Sequence, residues 1–350
     1  MSEHIENVKK AIEFKKPAYL PMETLDVPGL YHAYYTLDPN KVTFIPGAEN
    51  ADSLWALGSW FPKEIGKSEK GEVLRKDEWG INHKVPLDMN SIYIITDSPL
   101  NNKKSLGNYK FPEPKAGDFY FDYLSKIIKG KYQDRFISAH IDPGAFLVAS
   151  FLMGTEYLYM SLADNLDFVI EVIEGIFNYH YQLIPKFKEA GCHMVTYLDE
   201  FAGRSGMMFS PDIWRKYFKH YYKKLVDKIH ENGLYAGLAL DGNFEAILDD
   251  ILDLGIDVLQ MFDTGSIGID TLEKRVKGKR CIKCGVDMGL TLAVGTPDEV
   301  IKEATEKVER LNSDRGGYIC EVLRWYRPSY PEENVIASVN AFNKFRDIKK

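Results

Sequence analysis

The sequence lacks the features that mark exported, membrane and nucleic-acid-binding proteins. No apolar run approaches the roughly 18 residues expected of a membrane span, and the N-terminus, MSEHIENVKK, has no apolar signal segment. Lys and Arg number 44 against 51 Asp and Glu, which gives a net charge of −7. A nucleic-acid binder normally carries a basic patch or stripe, and here the Lys residues are interleaved with acids. We therefore expect a soluble, cytoplasmic protein that binds neither nucleic acid nor a membrane.

Cysteine is also scarce, with 4 in 350 residues. Without a secretory signal this number indicates a reducing compartment and argues against a disulfide framework. Three alternatives remain for the cysteines: buried thiols, a redox pair or metal ligands. They are Cys192, Cys281, Cys284 and Cys320. The composition is otherwise that of a globular protein, with 45% hydrophobic and 27% charged residues, enough to bury a large core.

The pattern of the chain changes near residue 125. Residues 1–125 are rich in Pro and Asn and show no regular alternation of strands and helices. From about residue 131 the alternation is regular, and strands are predicted at 136–140, 193–198, 234–240, 258–261, 280–284 and 316–322. The consecutive βα units lack a dinucleotide-binding Gly-rich turn. We therefore expect a (β/α)8 TIM barrel over 126–350, preceded by an irregular N-terminal extension, 1–125, that covers the strand ends.

The active site of such a barrel lies at the C-terminal ends of its strands. The candidate residues are therefore those that follow the predicted strands. They are His140, Asp142, Asp199, Glu200, Asp241, Phe262, Asp263, the run 284–287 and the run 320–327.

A series of short motifs follows along the chain. In order they are PGAF at 143–146, FLMGTE at 151–156, DEFA at 199–202, FSP at 209–211, DGN at 241–243, GVD at 285–287, GTPDEV at 295–300, GGYI at 316–319 and PEENV at 331–335. Their order and spacing, over roughly residues 10–347, resemble the uroporphyrinogen decarboxylase superfamily, including its cobalamin-dependent methyltransferase branch. The resemblance implies a (β/α)8 barrel and one of two chemistries, porphyrinogen decarboxylation or methyl transfer to or from a corrinoid.

The N-terminal part departs from the decarboxylases of this superfamily. They carry an Arg-rich motif there that binds propionates, whereas the first 60 residues of this chain contain no Arg. A porphyrinogen decarboxylase is therefore the alternative function rather than the first. A non-catalytic family barrel that acts as a binding subunit is a further alternative.

The resemblance also implies a metal. Methyltransferases of the branch resemble one another in a His-x-Cys-Gly-Asn strand end and a later Cys, which bind zinc. The corresponding segment here reads ALDGN at 239–243, so that Ala239 replaces the His and Asp241 the Cys, and Cys320 falls near the later Cys. Zinc accepts Asp oxygen as well as Cys sulfur, and a catalytic site uses three protein ligands. We expect a zinc site formed by Asp241, Cys284 and Cys320.

Other ligands remain open. Cys281 is separated from Cys284 by three positions, and residues three apart in a strand point to opposite faces. Asp199, Glu200 and His140 are the alternative ligands. The remaining alternative is that the thiols are buried as small hydrophobic residues.

The resemblance thus implies an enzyme, a corrinoid-dependent methyltransferase. We expect it to move a methyl group from a methyl donor, in the first place a methoxylated aromatic compound and alternatively another simple methyl donor, to the Co(I) centre of a separate corrinoid protein. That partner would carry the cobalamin, because this chain has no Asp-x-His-x-x-Gly segment. Glu200 and Asp199 are the expected catalytic residues, with Glu200 protonating the ether oxygen. A homodimer is compatible with the sequence.

The expected substrate-binding residues lie near the predicted strand ends. Aromatic side chains there would form a sleeve for a methoxylated ring, and an arginine would pair with a ring carboxylate. The set comprises Tyr197, Phe201, His140, Arg204, Phe262, Trp325, Tyr326 and Arg327.

Overall fold

The computed structural model describes residues 2–24, 51–87, 93–101, 103–322 and 329–346. The strands are β1 (Met22–Thr24), β2 (Ser53–Leu57), β3 (Lys63–Lys67), β4 (Val73–Lys76), β5 (Asn82–Val85), β6 (Ile94–Asp97), β7 (Phe136–Ile141), β8 (Met194–Asp199), β9 (Ala202–Gly203), β10 (Gly206–Met207), β11 (Tyr235–Leu240), β12 (Val258–Met261), β13 (Cys281–Cys284) and β14 (Tyr318–Glu321). Eight of them close into a barrel in the order β1, β14, β13, β12, β11, β8, β7, β2. All neighbours in the ring are parallel, which confirms the predicted (β/α)8 barrel.

The helices surround this barrel. They are α1 (Glu3–Ile12), α2 (Asp118–Lys131), α3 (Ala145–Met153), α4 (Thr155–Asp164), α5 (Leu166–Ala190), α6 (Pro211–Ile213), α7 (Lys219–Glu231), α8 (Leu248–Asp253), α9 (Ile269–Arg275), α10 (Thr291–Val294), α11 (Pro297–Leu311) and α12 (Glu332–Asn343). Short 3₁₀ turns lie at Lys103–Asn108, Pro114–Gly117 and Glu245–Ile247, and a π-helical turn at Trp214–Phe218. Within the described residues no single helix is long and apolar enough to cross a bilayer; α3 and α4 meet that criterion only jointly and are bent by 103°.

The six strands predicted after residue 131 are all present. Helix boundaries follow from local capping as well as from hydrophobic periodicity. Ser210 accepts a hydrogen bond from the Asp212 amide before α6, and Thr296 with Glu299 forms a capping box before α11. Gly191, with a φ of +101°, ends α5 in the left-handed conformation that glycine adopts without strain.

The N-terminal part differs from the expected irregular extension. The barrel takes β1 and β2 from it, so the boundary at residue 126 does not separate the barrel from the rest of the chain. These strands are only 3 and 5 residues long, and Glu23 and Ser53 face one another inside the barrel with a hydrogen bond between their side chains. Short strands with buried polar residues give no alternating hydrophobic pattern, which is why the sequence did not indicate them.

Between β2 and α2 the chain forms a four-stranded antiparallel sheet in the order β3, β4, β5, β6. Two aromatic contacts attach this insertion to the helices. Trp79 packs edge-on against Tyr179 of α5, with ring centroids 4.9 Å apart. Tyr93 packs against Phe151 of α3 at 5.1 Å. Because the insertion comes directly after β2, it begins at the C-terminal end of a barrel strand. Barrel enzymes place their functional loops at this end.

The two ends of the barrel have opposite character. Helix α1 closes the end where the strands begin, where Ile5 and Val8 belong to one buried apolar cluster with Phe136, Val258 and Cys281. This apolar cap fills the interior of the barrel at this end, and a buried polar cluster of Asp52 with His4, Tyr19 and Arg346 lies beside it. Polar side chains accumulate in the middle of the barrel and at its C-terminal end.

A polar layer crosses the middle of the barrel. Lys283 forms a fully buried ion pair with Glu23, whose other carboxylate oxygen accepts a hydrogen bond from Ser53. Gln260 donates to Glu321 at 2.7 Å. Buried polar groups of this kind are stable only when they are paired, so this layer forms a fixed polar floor beneath the C-terminal end.

Candidate active site

The C-terminal ends of four adjacent strands, β8, β11, β12 and β13, surround a cavity of about 390 Å³. Each contributes a carboxyl side chain: Glu200, Asp241, Asp263 and Asp287. Arg204 is the one basic residue among the described residues of the lining. The lining comprises Glu200, Ala202, Gly203, Arg204, Asp241, Gly242, Phe262, Asp263, Asp287, Met288, Gly289 and Tyr330. The cavity is therefore strongly acidic.

Close backbone contact fixes one wall of the cavity. Gly242 has a φ of +74°, and a Cβ atom there would lie 2.3 Å from the carbonyl oxygen of Ala202. The Asn243 amide donates to the Gly203 carbonyl at 2.8 Å. Only glycine allows both this conformation and this approach. The turn after β11 is thereby held against the β9–β10 hairpin, which places Asp241 and Arg204 around the same space.

Asp263 and Asp287 form a carboxyl pair at the ends of β12 and β13. Each carboxyl group lies close enough to the other to affect its pKa. Arg204 lies across both, with Nε 3.5 Å from Asp263 and Nη2 3.8 Å from Asp287. The pair follows from the register, because Met261 and Cys284 are direct neighbours in the barrel and the two acids come shortly after them.

The two members of the pair have different environments. Asp263 accepts hydrogen bonds from the amide and hydroxyl of Ser266. Burial acts to raise its pKa, but these bonds and the Arg204 charge bring the pKa below its usual value. Burial and the adjacent Asp263 charge raise the pKa of Asp287, against the opposing effect of the Leu290 and Gly289 amides. Two carboxyl groups this close do not both ionise readily, so Asp287 is the member that holds a proton more tightly.

Asp199 and Glu200, the expected catalytic residues, have different surroundings. Asp199 is fully buried and accepts hydrogen bonds from the amides of Phe146, Leu147 and Glu200 and from the Tyr222 hydroxyl. Burial raises its pKa to about 6 despite these bonds. Its carboxyl group caps α3 and does not line the cavity. Glu200, in contrast, is exposed and lines it.

The expected zinc ligands are not brought together. Cys284 and Cys320 belong to the large apolar cluster between the barrel and its helices. The Cys284 thiol lies 3.3 Å from the Tyr318 hydroxyl, and the Cys320 thiol donates to the Pro21 carbonyl. Asp241 lines the cavity instead.

Strand alternation explains this arrangement. Cys281 and Lys283 point into the barrel, so Cys284 points outward, and Cys320 is its register partner on β14. Burial raises the pKa of both outward thiols, which disfavours the thiolate that zinc requires. No three His, Cys, Asp or Glu side chains in the described ranges are grouped to hold a metal ion. The described residues therefore do not fit the expected zinc.

The expected aromatic sleeve is only partly present. Phe262 lines the cavity. Tyr197 lies in the core instead, stacked on Phe177 with centroids 5.5 Å apart and hydrogen-bonded to His180. Phe201 is also buried and packs near Trp214. Trp325, Tyr326 and Arg327 lie outside the described residues.

His140 occupies the barrel interior rather than the cavity wall. It is fully buried, with Nε2 3.4 Å from the Ser138 hydroxyl and its ring edge-on to Trp55 at 5.0 Å. Ser138 in turn lies 3.5 Å from Lys283. His140 thus belongs with the buried polar layer.

Two residues of the site were strand-end candidates without an assigned role, Asp263 and Asp287. Each follows its strand closely and precedes a Gly-containing turn, TGS at 264–266 and MG at 288–289. This position, at a strand end before a Gly-containing turn, was the sequence signal that could have identified them as site residues. The proximity of the two carboxyl groups depends on which strands are neighbours and on their register. Tyr330, the remaining aromatic residue of the lining, follows no predicted strand closely and gave no such signal.

The fold and this cavity define a (β/α)8-barrel protein with a candidate active site at the carboxyl ends of its strands. The chain matches the family model described as uroporphyrinogen decarboxylase (URO-D) over residues 92–345. Since this is more than half of the chain, the protein belongs to the uroporphyrinogen decarboxylase family. No curated protein matches the chain.

A solved structure shows the same fold. The chain is similar to a methyltransferase from Methanosarcina mazei, with a TM-score of 0.75, 17% identity and 99% of each chain covered. At this identity the likeness establishes the fold. A D-psicose 3-epimerase from Clostridium cellulolyticum H10 has a TM-score of 0.45 at 9% identity over 93% of this chain and 98% of the other.

Proposed function

We propose that the protein is a methyltransferase that moves a methyl group from an uncharged methoxylated aromatic compound to a separate corrinoid protein. The observation that carries this proposal is the cavity, which combines carboxyl groups with the side chains of Phe262, Met288 and Tyr330. Its volume of about 390 Å³ suits a single substituted ring. The full-length similarity to a methyltransferase structure is consistent with this reading.

The chemistry explains why carboxyl groups suit this substrate. An ether methyl group is a poor donor because the departing oxygen would carry a full negative charge. A positioned acid that protonates this oxygen removes the difficulty. Phe262 and Tyr330 offer flat apolar surface for the ring, while the acids are placed around it.

The acidic lining of the cavity favours an uncharged methyl donor. Arg204 already contacts Asp263 and Asp287, so a ring carboxylate would have to displace these contacts and approach two further acids. Burying an anion beside carboxylates is unfavourable. We therefore infer an uncharged ring rather than the carboxylated ring that the sequence suggested for Arg204.

The methyl acceptor is inferred to be a separate corrinoid protein, which carries the cobalamin. The described residues form the barrel and its β3–β6 insertion, with no second unit to hold such a group. Exposed apolar side chains, Met208 and Leu290, lie beside the cavity-lining Gly203 and Gly289. They offer contact area for a partner at the cavity mouth.

Porphyrinogen decarboxylation is the second candidate, favoured by the description of the matching family. A porphyrinogen with up to eight carboxylates would need several clustered arginines. The described lining offers Arg204 alone, against four acids. The electrostatics therefore favour methyl transfer.

The test uses the full chain, a reduced corrinoid protein and a panel of donors. We expect methoxybenzenes without a carboxylate to methylate the corrinoid, detected by its absorbance change, and methoxybenzoates to react more slowly. Uroporphyrinogen serves as the comparison substrate, with carbon dioxide release as the readout. Carbon dioxide release without methyl transfer from any donor would reverse the assignment.

A further inference from the structure

We propose that Asp287, paired with Asp263, is the catalytic residue that protonates the departing oxygen of the methyl donor. The inference rests on the proposed function and identifies the acid within the cavity. It differs from the expectation that Glu200 performs this step. Four observations support it: the contacts of the two Asp287 oxygens, the pairing with Asp263, the charges around the pair and the greater exposure of Glu200.

The two oxygens of Asp287 have different contacts. Oδ1 accepts hydrogen bonds from the amides of Gly289 and Leu290, both at 2.8 Å. Oδ2 is the oxygen nearer Arg204, at 3.8 Å. The two amide bonds fix the orientation of the carboxyl group, and we assign the proton to the second oxygen of this cavity-lining residue.

Asp263 provides the reason for the proton to reside on Asp287. Ser266 and the nearer contact of Arg204, at 3.5 Å, stabilise Asp263 as the anion. An ionised Asp287 would then place a second negative charge against the same Arg204 side chain. Paired carboxyl groups commonly share one proton for this reason.

The other charged groups around the pair act in both directions. Glu200 and Asp241 share the cavity lining, and Glu303 accepts a hydrogen bond from the Asp287 amide at 2.9 Å. These acids favour the protonated form of the pair. Lys307, which is paired with Glu303, and Arg204 reduce this effect. The acids outnumber the bases, so the surroundings favour retention of the proton.

Glu200 differs from the pair in its exposure to solvent. It is exposed, whereas the Asp263 and Asp287 side chains are only 13% and 10% exposed. Solvent screens the neighbouring charges at an exposed carboxyl group. The buried pair is the better proton reservoir near neutral pH.

The proposed step balances as follows. The bond between the methyl carbon and the ring oxygen breaks, and its electron pair stays on the oxygen. The methyl group passes to the corrinoid acceptor in its Co(I) state, which supplies the electron pair of the new bond. The proton of Asp287 moves to the oxygen and gives a phenol. Asp287 is left as a carboxylate beside Arg204 and regains its proton from water.

The kinetic test compares Asp287→Asn with Glu200→Gln on two uncharged donors. Asparagine keeps the oxygen that accepts the Gly289 and Leu290 amides, so the turn is expected to persist, which thermal unfolding checks. We expect Asp287→Asn to slow methyl transfer from methoxybenzene about 100-fold or more. Transfer from nitromethoxybenzene, whose phenolate leaves without protonation, should fall much less. Equal losses on both donors, or a larger donor-dependent loss in Glu200→Gln, would overturn the assignment.

The pH profile supplies a readout that a structural role would not change. Because the acid form is required, the wild-type rate should fall as pH rises through the titration of the pair. Asp287→Asn should lose this decline. Asp263→Asn should move the decline to lower pH, because it removes the negative charge that disfavours ionisation of Asp287. An unchanged profile in both variants would contradict the proposal.

Infrared spectroscopy separates this inference from the proposed function. The difference spectrum between the wild type and Asp287→Asn near neutral pH should contain a protonated carboxyl band that is absent from the difference between the wild type and Glu200→Gln, whichever methyl donor is used. Other buried acids, such as Glu78, whose pKa burial raises, cancel in these differences. If the wild type transfers no methyl group from any donor, the proposed function fails, and with it the role of Asp287 as donor, while this band still shows whether the pair holds a proton. Absence of the band would overturn the pairing itself.

Discussion

Asp199 and Asp287 occupy similar positions, each at or just after the C-terminal end of a barrel strand, but their surroundings are opposite. Four donors from α3, the following residue and Tyr222 close around Asp199, which is fully buried. Asp287 is anchored by two amides through one oxygen, its other oxygen lies near Arg204, and the residue lines the cavity. Strand-end position therefore brings a carboxyl group to the active-site end, and the donors around it decide whether it is available for chemistry.

Glu23 is a third buried carboxyl group, and it is neutralised by the cation of Lys283 rather than by hydrogen-bond donors alone. Lys283→Met leaves Glu23 buried without its partner, and we expect a loss of about 3–5 kcal/mol in unfolding free energy. Chemical denaturation measures it. The double variant with Glu23→Gln is the control and should recover part of the loss. A decrease below about 1 kcal/mol in the single variant would show that the layer is hydrated or rearranged.

Removal of the Asp199 carboxyl group is expected to cause the next largest loss of unfolding free energy. Asp199→Ala leaves the Phe146 amide and the Tyr222 hydroxyl buried without an acceptor. We expect a loss of about 2–4 kcal/mol, since each buried unpaired group costs roughly 1–3 kcal/mol. Asp199→Asn is the matched control, because it keeps one acceptor oxygen and an amide that can donate to Tyr222. Equal stability of the two variants would contradict the capping role.

The pH dependence of stability separates the two carboxyl groups further. Burial raises the pKa of Asp199 to about 6 from 3.8. The native state therefore keeps this proton to higher pH than the unfolded chain. Its contribution to stability is complete below about pH 4 and is lost as pH rises to 6, by up to about 3 kcal/mol.

Asp199→Asn cannot ionise at this position and should lack the decline. The difference in unfolding free energy between the wild type and this variant isolates the effect, because Asp77, whose pKa burial also raises to about 6, is present in both. Denaturation curves between pH 4.5 and 7.5 provide the measurement. Parallel pH dependences would contradict the assignment.

The smallest stability effect is expected at Asp287. Asp287→Asn retains the acceptor for two amides and, like the protonated acid, places no charge beside Asp263, so its unfolding free energy should change by less than about 1 kcal/mol. Thermal and chemical denaturation test this. A loss as large as that of Asp199→Ala would show that Asp287 is structural and remove the contrast between the two sites.

The sequence predicted the barrel because six of its strands alternate regularly with helices, two of which begin at recognisable caps, Ser210 and Thr296. It did not predict β1 and β2, which are short, polar inside and, for β2, followed by a sheet instead of a helix. Strand-end position correctly brought Glu200, Asp241 and Phe262 to the cavity.

The sequence could not predict on which face of its strand each side chain lies. A shift of one residue in a strand reverses the face of every side chain, and Cys284 and Cys320 lie on the helix-facing side. Likewise, the pairing of Asp263 with Asp287 follows from the β12–β13 register, and the burial of Asp199 follows from how α3 docks on β8.

The most direct test of the account is single-turnover methyl transfer from an isotope-labelled, uncharged methoxybenzene to a reduced corrinoid protein. The wild type, Asp199→Asn and Asp287→Asn are compared at neutral pH. We expect label on the corrinoid at similar rates for the wild type and Asp199→Asn, and about 100-fold slower for Asp287→Asn. Transfer by Asp287→Asn at the wild-type rate, or no transfer by the wild type, would contradict it.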